Sequence, residues 1–174
     1  YKMIKKIAIL GSTGSIGKCL IDINKKDKKN FEIILLSADE NYKELLKQAK
    51  LFKVKNLVVN NIKSFNKIKK DNYAKKIKIF NNFNNFENIF RKKIDYTMNS
   101  ISGIQGLKPT IEIIKYTKKI AIANKEAIIC GWDLIKRNLH KYKTEFIPVD
   151  SEHFSIWYSP VSYTHLRAHE TRGN

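Results

Sequence analysis

The stretch IAILGSTGSIG, residues 7–17, runs an apolar segment straight into three glycines spaced three apart, Gly11, Gly14 and Gly17. Residues 4–10 read as a buried strand, and KCLIDINKK (18–26) reads as a helix, so the glycines fall on a strand-to-helix turn. Glycine permits a tight turn and close backbone approach, and the helix N-terminus behind it offers free N–H groups and a partial positive charge to a pyrophosphate. Thr13 and Ser15 add hydroxyls. Dinucleotide binding is the expectation; the alternative is a tight turn with no ligand.

Outward from this turn the chain alternates. FEIILLS (31–37), NLVV (56–59), KIKIF (76–80), DYTMNSIS (95–102), KKIAIAN (118–124) and TEFIPV (144–149) read as strands. Between them lie a helix over 42–52 with Leu45, Leu46, Ala49 and Phe52 on one face, a Lys-rich helix, TIEIIKYT (110–117), and a helix over 125–141. Strands alternating with helices give an α/β class: a Rossmann-like, mainly parallel sheet with helices on both faces. Such sheets bind ligands beyond the carboxyl ends of their strands, and the polar clusters GSTGS, SADEN, NSISG, NKE and DSEH all fall at such ends.

A length of 174 residues and a hydrophobic share of 43% suit one soluble domain. The net charge of +18 would permit nucleic-acid binding if it were clustered. The lysines instead run from Lys2 to Lys143 among many asparagines, without an Arg-rich block. This is a general Lys/Asn bias, and no nucleic-acid partner is expected. No apolar run approaches the ~20 residues of a membrane span, so no membrane association is expected. Cys19 and Cys130 lack metal-type spacing and fit a reducing cytoplasm. From Pro160 onward, PVSYTHLRAHETRGN loses the Lys/Asn/Ile character and resembles a translated sequencing adapter. Residues 160–174 are therefore expected to be non-native, and the natural chain is expected to continue differently after Ser159.

Three further clusters are candidates. Ser37, Asp39, Glu40 and Asn41, at the end of the second strand, lie where an adenine ribose is expected; an acid there selects a free 2′-hydroxyl, these residues carry no clear sign of a 2′-phosphate site, and Asp39 and Glu40 could equally be solvated loop acids. In ANKEA (123–127), Lys125 could clamp a phosphate or carboxylate and Asn124 a ribose, or Asn124 could simply cap a helix whose first turn holds Glu126. In PVDSEHF (148–154), Asp150 and Glu152 could aim two carboxylates at a hard divalent cation, or Asp150 or Ser151 could cap a helix. His153 reads as structural, or as a support behind the ligands, in preference to a ligand or a base.

Taken in order and spacing, IAILGSTGSIG, SGIQGLKPT, IAIANKEAII and IPVDSEHFSIW resemble the N-terminal part of the 1-deoxy-D-xylulose 5-phosphate reductoisomerase family over residues 4–157. The resemblance implies an NADPH-dependent oxidoreductase and isomerase of non-mevalonate isoprenoid biosynthesis in the bacterial cytoplasm. It would use Mg²⁺ or Mn²⁺ to convert 1-deoxy-D-xylulose 5-phosphate, a phosphorylated sugar, to 2-C-methyl-D-erythritol 4-phosphate. The implied cofactor contacts are Thr13, Gly14, Ser15, Ile16, Asn41, Asn124 and Glu126. Lys125, Ser151 and Glu152 would touch substrate, Asp150 and Glu152 would hold the metal, and Lys125, Asp150 and Glu152 would carry the catalysis. Residues 1–149 would be the NADPH-binding domain and 150–159 the start of a catalytic domain. The resemblance further implies a homodimer for the full-length protein, and inactivity for the 174-residue chain alone. Asp39 and Glu40 depart from the family, which often carries a Gly-Lys pair before the Asn. Readings outside this resemblance are a dehydrogenase of the aspartate-semialdehyde or homoserine type, or a basic nucleic-acid-binding domain.

Overall fold

The computed structural model describes residues 3–71 and 73–149. The first half supplies β1 (Lys5–Leu10), α1 (Ser15–Lys26), β2 (Phe31–Ala38), α2 (Tyr42–Phe52), β3 (Asn56–Val59), α3 (Ile62–Ile68) and β4 (Lys78–Phe80). The second supplies β5 (Ile94–Asn99), α4 (Leu107–Ile114), β6 (Thr117–Ile122), α5 (Lys125–Tyr142) and β7 (Glu145–Ile147). The strands form one seven-stranded sheet in the order β4-β3-β2-β1-β5-β6-β7, and every pairing is parallel. The chain thus winds outward from β1, returns to the other side of β1 at β5, and winds outward again. The crevice between β1 and β5 is the point at which open parallel sheets take their ligands.

Both faces of the sheet are covered, which is why its strands read as unbroken apolar runs. Ile7 and Ile9 of β1 face Ile21, Leu45, Leu46 and Ile68 from α1, α2 and α3. Ala8 and Leu10 face the other layer, with Ile113 and Ile114 of α4 and Ile128 and Ile135 of α5. The alternation slips once. The β1–β2 register jumps from Ile7↔Ile33 to Ala8↔Leu35, so Ile34 is an extra residue in β2. Its carbonyl is not orphaned, because Asn56 Nδ2 donates to it at 3.0 Å.

Every expected strand is present, Asn56–Val59 with the bounds expected and the others with shifted ends. The helix expected over 110–117 lies at Leu107–Ile114. It starts earlier because a 3-10 turn, Ile104–Gly106, runs directly into it; Pro109 falls in its first turn, where an N–H has no intrahelical partner to lose. It stops earlier because Thr117 pairs with Ile94 in the sheet while its own carbonyl accepts Thr144 Oγ1 at 2.9 Å. The strand expected to reach residue 102 ends at Asn99, whose Oδ1 accepts the Ile101 N–H at 3.1 Å and turns the chain. The segment expected to open a strand at 76 is a short 3-10 helix, Ala74–Lys76. None of the helices among the described residues is long and apolar enough to cross a membrane.

At the opposite, N-terminal edge of the sheet, Asp95 joins three adjacent strands. It accepts Lys6 N at 2.9 Å and Lys118 Nζ at 2.8 Å. The Lys118 hydrogen bond, followed by that from the Lys6 N–H, holds the Asp95 carboxyl below the usual carboxylate range. A folded-state pKa below the unfolded one means that the stabilisation is complete above the unfolded value and is lost as pH falls through the folded one. Wild type should therefore melt slightly higher than Asp95→Asn near neutral pH, and the two should converge in acid. The difference is small, since the Lys118 side chain is 61% exposed and screened by solvent. Thermal melts across that pH range check this, and a gap that widens in acid would overturn it.

Candidate functional site

The glycine turn is held from below by a buried polar network. Gly11 has φ +76°, and a Cβ there would lie 2.9 Å from the Ser100 carbonyl carbon and oxygen, so the turn and the β5 loop touch backbone to backbone. Gly11 N donates to Ser37 Oγ at 2.9 Å, and Ser12 N to Ser37 O at 2.8 Å. Ser12 Oγ donates to Gln48 Oε1 at 2.7 Å, while Gln48 Nε2 returns a bond to Ser12 O at 3.1 Å. Ser12, Ser37 and Gln48 are all buried. Fully paired buried polar groups of this kind fix one arrangement, since breaking any member strands another. Ser37 is thus a support for the turn and not a ribose ligand as the sequence reading allowed. Its hydroxyl is committed to Gly11, and the residue is 1% exposed.

Above this support the turn opens to solvent. Thr13 is half-buried, whereas Gly14, Ser15 and Ile16 are exposed. Gly14 is the N-cap of α1 and supplies no side-chain cap, and the first turn of α1 holds no acid. The first-turn N–H groups and the positive end of the helix dipole therefore remain uncompensated by side chains. A Cβ on Gly14 would meet only Gly11 O, at 3.5 Å, and otherwise open space. The donor set and the room suit a pyrophosphate.

The loops after β5 and β6 are tied to this turn and to each other. Ser100 Oγ donates to Leu10 O at 2.8 Å. Buried Asn99 donates from Nδ2 to Gly106 O at 2.9 Å and to Thr110 Oγ1 at 2.6 Å. Asn124 caps α5, its Oδ1 accepting Ala127 N at 2.8 Å, and its Nδ2 donates to Ile101 O at 2.5 Å and to Gly103 O. Of the two readings left open for Asn124, the structure shows the helix cap. The amide also clamps the 101–103 loop beside the switch point. Removing it with Asn124→Ala deletes a cap, worth ~1 kcal/mol, and the donor to two half-buried carbonyls, ~1–3 kcal/mol more. A loss of about 2–4 kcal/mol in urea denaturation is expected; a loss below ~0.5 kcal/mol would contradict the clamp.

Lys125 and Glu126 stand exposed in the first turn of α5, at the same sheet edge. Asn41 is exposed and caps α2, accepting Glu44 N at 3.2 Å. Thr13 to Ile16, Asn41 and Asn124 to Glu126 therefore share the carboxyl edge of the sheet, after β1, β2 and β6. Asp150, Ser151, Glu152 and His153 lie outside the described residues. Among the described residues no group of three or more His, Cys, Asp or Glu could hold a metal, and Cys19 and Cys130 are exposed on separate helices. Sequence reasoning placed Ser12, Asn99 and Ser100 in polar clusters at this edge without assigning them a supporting role, and it missed Gln48. Gln48 did carry a signal, being a polar residue on the apolar face of α2 beside Leu45 and Ala49.

With this edge assembled, the family model for 1-deoxy-D-xylulose 5-phosphate reductoisomerase matches residues 7–131. The chain belongs to that family. The reductoisomerase of Pelagibacter ubique is 61% identical over 156 residues, covering 88% of this chain and 40% of its own length. A solved reductoisomerase from Zymomonas mobilis in complex with NADPH superposes with TM-score 0.77 at 29% identity, over 87% of this chain and 40% of that one. Another reductoisomerase, in complex with NADPH, fosmidomycin and magnesium, also gives TM-score 0.77, at 25% identity, over 86% of this chain and 37% of that one. This chain thus spans about 40% of the length of the curated reductoisomerases it matches. Membership in the reductoisomerase family decides against the aspartate-semialdehyde and homoserine dehydrogenase types.

Proposed function

We propose that this chain is the cofactor-binding part of an enzyme that converts 1-deoxy-D-xylulose 5-phosphate to 2-C-methyl-D-erythritol 4-phosphate. The observation that carries the reading is the open, uncapped start of α1 at the β1–β5 switch point, in a chain of the reductoisomerase family. Residues 1–149 form the dinucleotide domain and residues 150–159 begin the catalytic one. The full-length protein acts as a homodimer in the bacterial cytoplasm, without a nucleic-acid or membrane partner.

Thr13, Gly14, Ser15 and Ile16 receive the pyrophosphate region of NADPH, which supplies hydride when bound. Asn41 contacts the adenosine end. Glu126 contacts the cofactor from the start of α5, and Asn124, whose buried side chain is taken up by the cap and the 101–103 loop, serves that contact by holding the loop in place. Lys125 and Ser151 hold the substrate. Asp150 and Glu152 would provide the hard oxygen ligands that Mg²⁺ or Mn²⁺ requires, and the chemistry such an ion would supply is Lewis-acid polarisation of a carbonyl. The support is the shared sheet edge of residues 13–16 and 124–126, together with the relatives solved with NADPH and magnesium.

The test uses the complete protein. Asp150→Asn should reduce Mg²⁺- or Mn²⁺-dependent turnover by at least ~10³-fold and leave NADPH affinity within about twofold of wild type. A large loss of NADPH binding in this variant would make the acids structural, and turnover at the wild-type rate would remove Asp150 from the metal site.

A further inference from the structure

The adenosine end of the cleft does not fit the cofactor as well as the pyrophosphate end does. Ser37 contacts Gly11, and Asp39 follows two residues later, so at ~3.3 Å per extended residue its Cα lies within ~7 Å of the Ser37 Cα. This is the carboxyl end of β2, about 20 residues beyond the glycine turn, where an acid takes the two ribose hydroxyls of a cofactor that has no 2′-phosphate. Asp39 and Glu40 are both exposed there, and neither forms an ion pair among the described residues. Glu40 Oε1 accepts Asn61 Nδ2 at 3.4 Å, which leaves its charge unneutralised. Glu44 adds a third carboxylate in the first turn of α2 and offsets the positive end of that helix. A 2′-phosphate would have to enter this field carrying up to two negative charges.

We infer that Asp39 and Glu40 set the cofactor preference of this chain, weakening selection for a 2′-phosphate so that it accepts NADH almost as readily as NADPH. The inference rests on the dinucleotide reading above. Charge repulsion at an exposed site is graded and salt-screened, so NADPH binding is weakened but not abolished. The expected balance is a ratio of NADH to NADPH dissociation constants within about tenfold at low salt, with NADPH affinity improving relative to NADH as salt rises.

The experiment is titration of the complete protein with NADPH and with NADH, followed by nucleotide fluorescence, for wild type and for Asp39→Asn/Glu40→Gln. The amides keep the size of the acids, and Gln retains an acceptor for Asn61. Circular dichroism checks that the variant is folded. The expected result is that the double variant binds NADPH at least about fivefold more tightly while NADH binding stays the same or weakens. Selection of NADPH over NADH by more than about 100-fold in wild type, left unchanged in the variant, would overturn the inference and leave the dinucleotide reading standing. Failure of wild type to bind either nucleotide would overturn the dinucleotide reading, and this inference with it.

Discussion

Gly17→Ala should fold but lose a large part of its stability, unfolding at a much lower urea concentration than wild type. A Cβ at Gly17 would lie 2.4 Å from Gly11 O, 2.5 Å from Ser12 Cα and 2.7 Å from Ser12 C. All three are backbone atoms, so no side-chain rotation relieves the overlap. The turn cannot retreat, because Ser12 is fastened to Ser37 and Gln48 beneath it. Helix α1 would have to lift instead, drawing Ile21 away from the Ile7 and Ile9 face of β1. Overpacking costs ~1–3 kcal/mol, and losing helix contacts or the buried network adds to it. A total of roughly 3–5 kcal/mol is a large part of the ~5–15 kcal/mol that holds a domain together. Urea denaturation followed by circular dichroism measures it, and a variant within ~1 kcal/mol of wild type would show that α1 does not pack on the turn as described.

How much of this was legible beforehand follows from the range of the interactions. Strands β1, β2 and β3 are buried on both faces, so composition alone marks them, and their expected bounds lie within one residue of those observed. The ends of β5 and α4 moved because Asn99 and Thr117 have distant or competing partners, Thr110 and Thr144 among them. Those pairings depend on which loops the topology brings together. The site divides in the same way. Residues 13–16 and 124–126 were legible as turn and cap chemistry, because each is local to a strand end. The Ser12–Ser37–Gln48 support was not, since it joins residues whose only sequence-level sign is polarity within apolar surroundings. Ser37 stood among the ribose candidates for the same reason: a serine at a strand end looks like a ligand until its burial is known.

Gly14 and Gly17 look equivalent in the sequence, three apart in one turn, yet the fold separates them. Gly14→Val should fold as wild type does and lose the cofactor. Its backbone is extended, φ −75° and ψ 175°, a conformation that a β-branched residue adopts without strain. The added Cβ would meet only Gly11 O, at an ordinary 3.5 Å, so the protein itself gives no steric reason for glycine there. What a valine would fill is the open space at the uncapped start of α1, where the pyrophosphate of NADPH is proposed to sit. Its methyl groups would hold phosphate oxygens away from first-turn N–H groups that otherwise bind at close range. Losing two or three such charge-assisted bonds, each ~1.5–3 kcal/mol, weakens binding by at least about 100-fold. Paired measurements on the complete protein decide this: the denaturation midpoint should be unchanged and the NADPH titration flat at concentrations that saturate wild type. Wild-type affinity in a folded Gly14→Val protein would move the pyrophosphate off this turn, and a collapse in stability would mean that Gly14, like Gly17, serves packing.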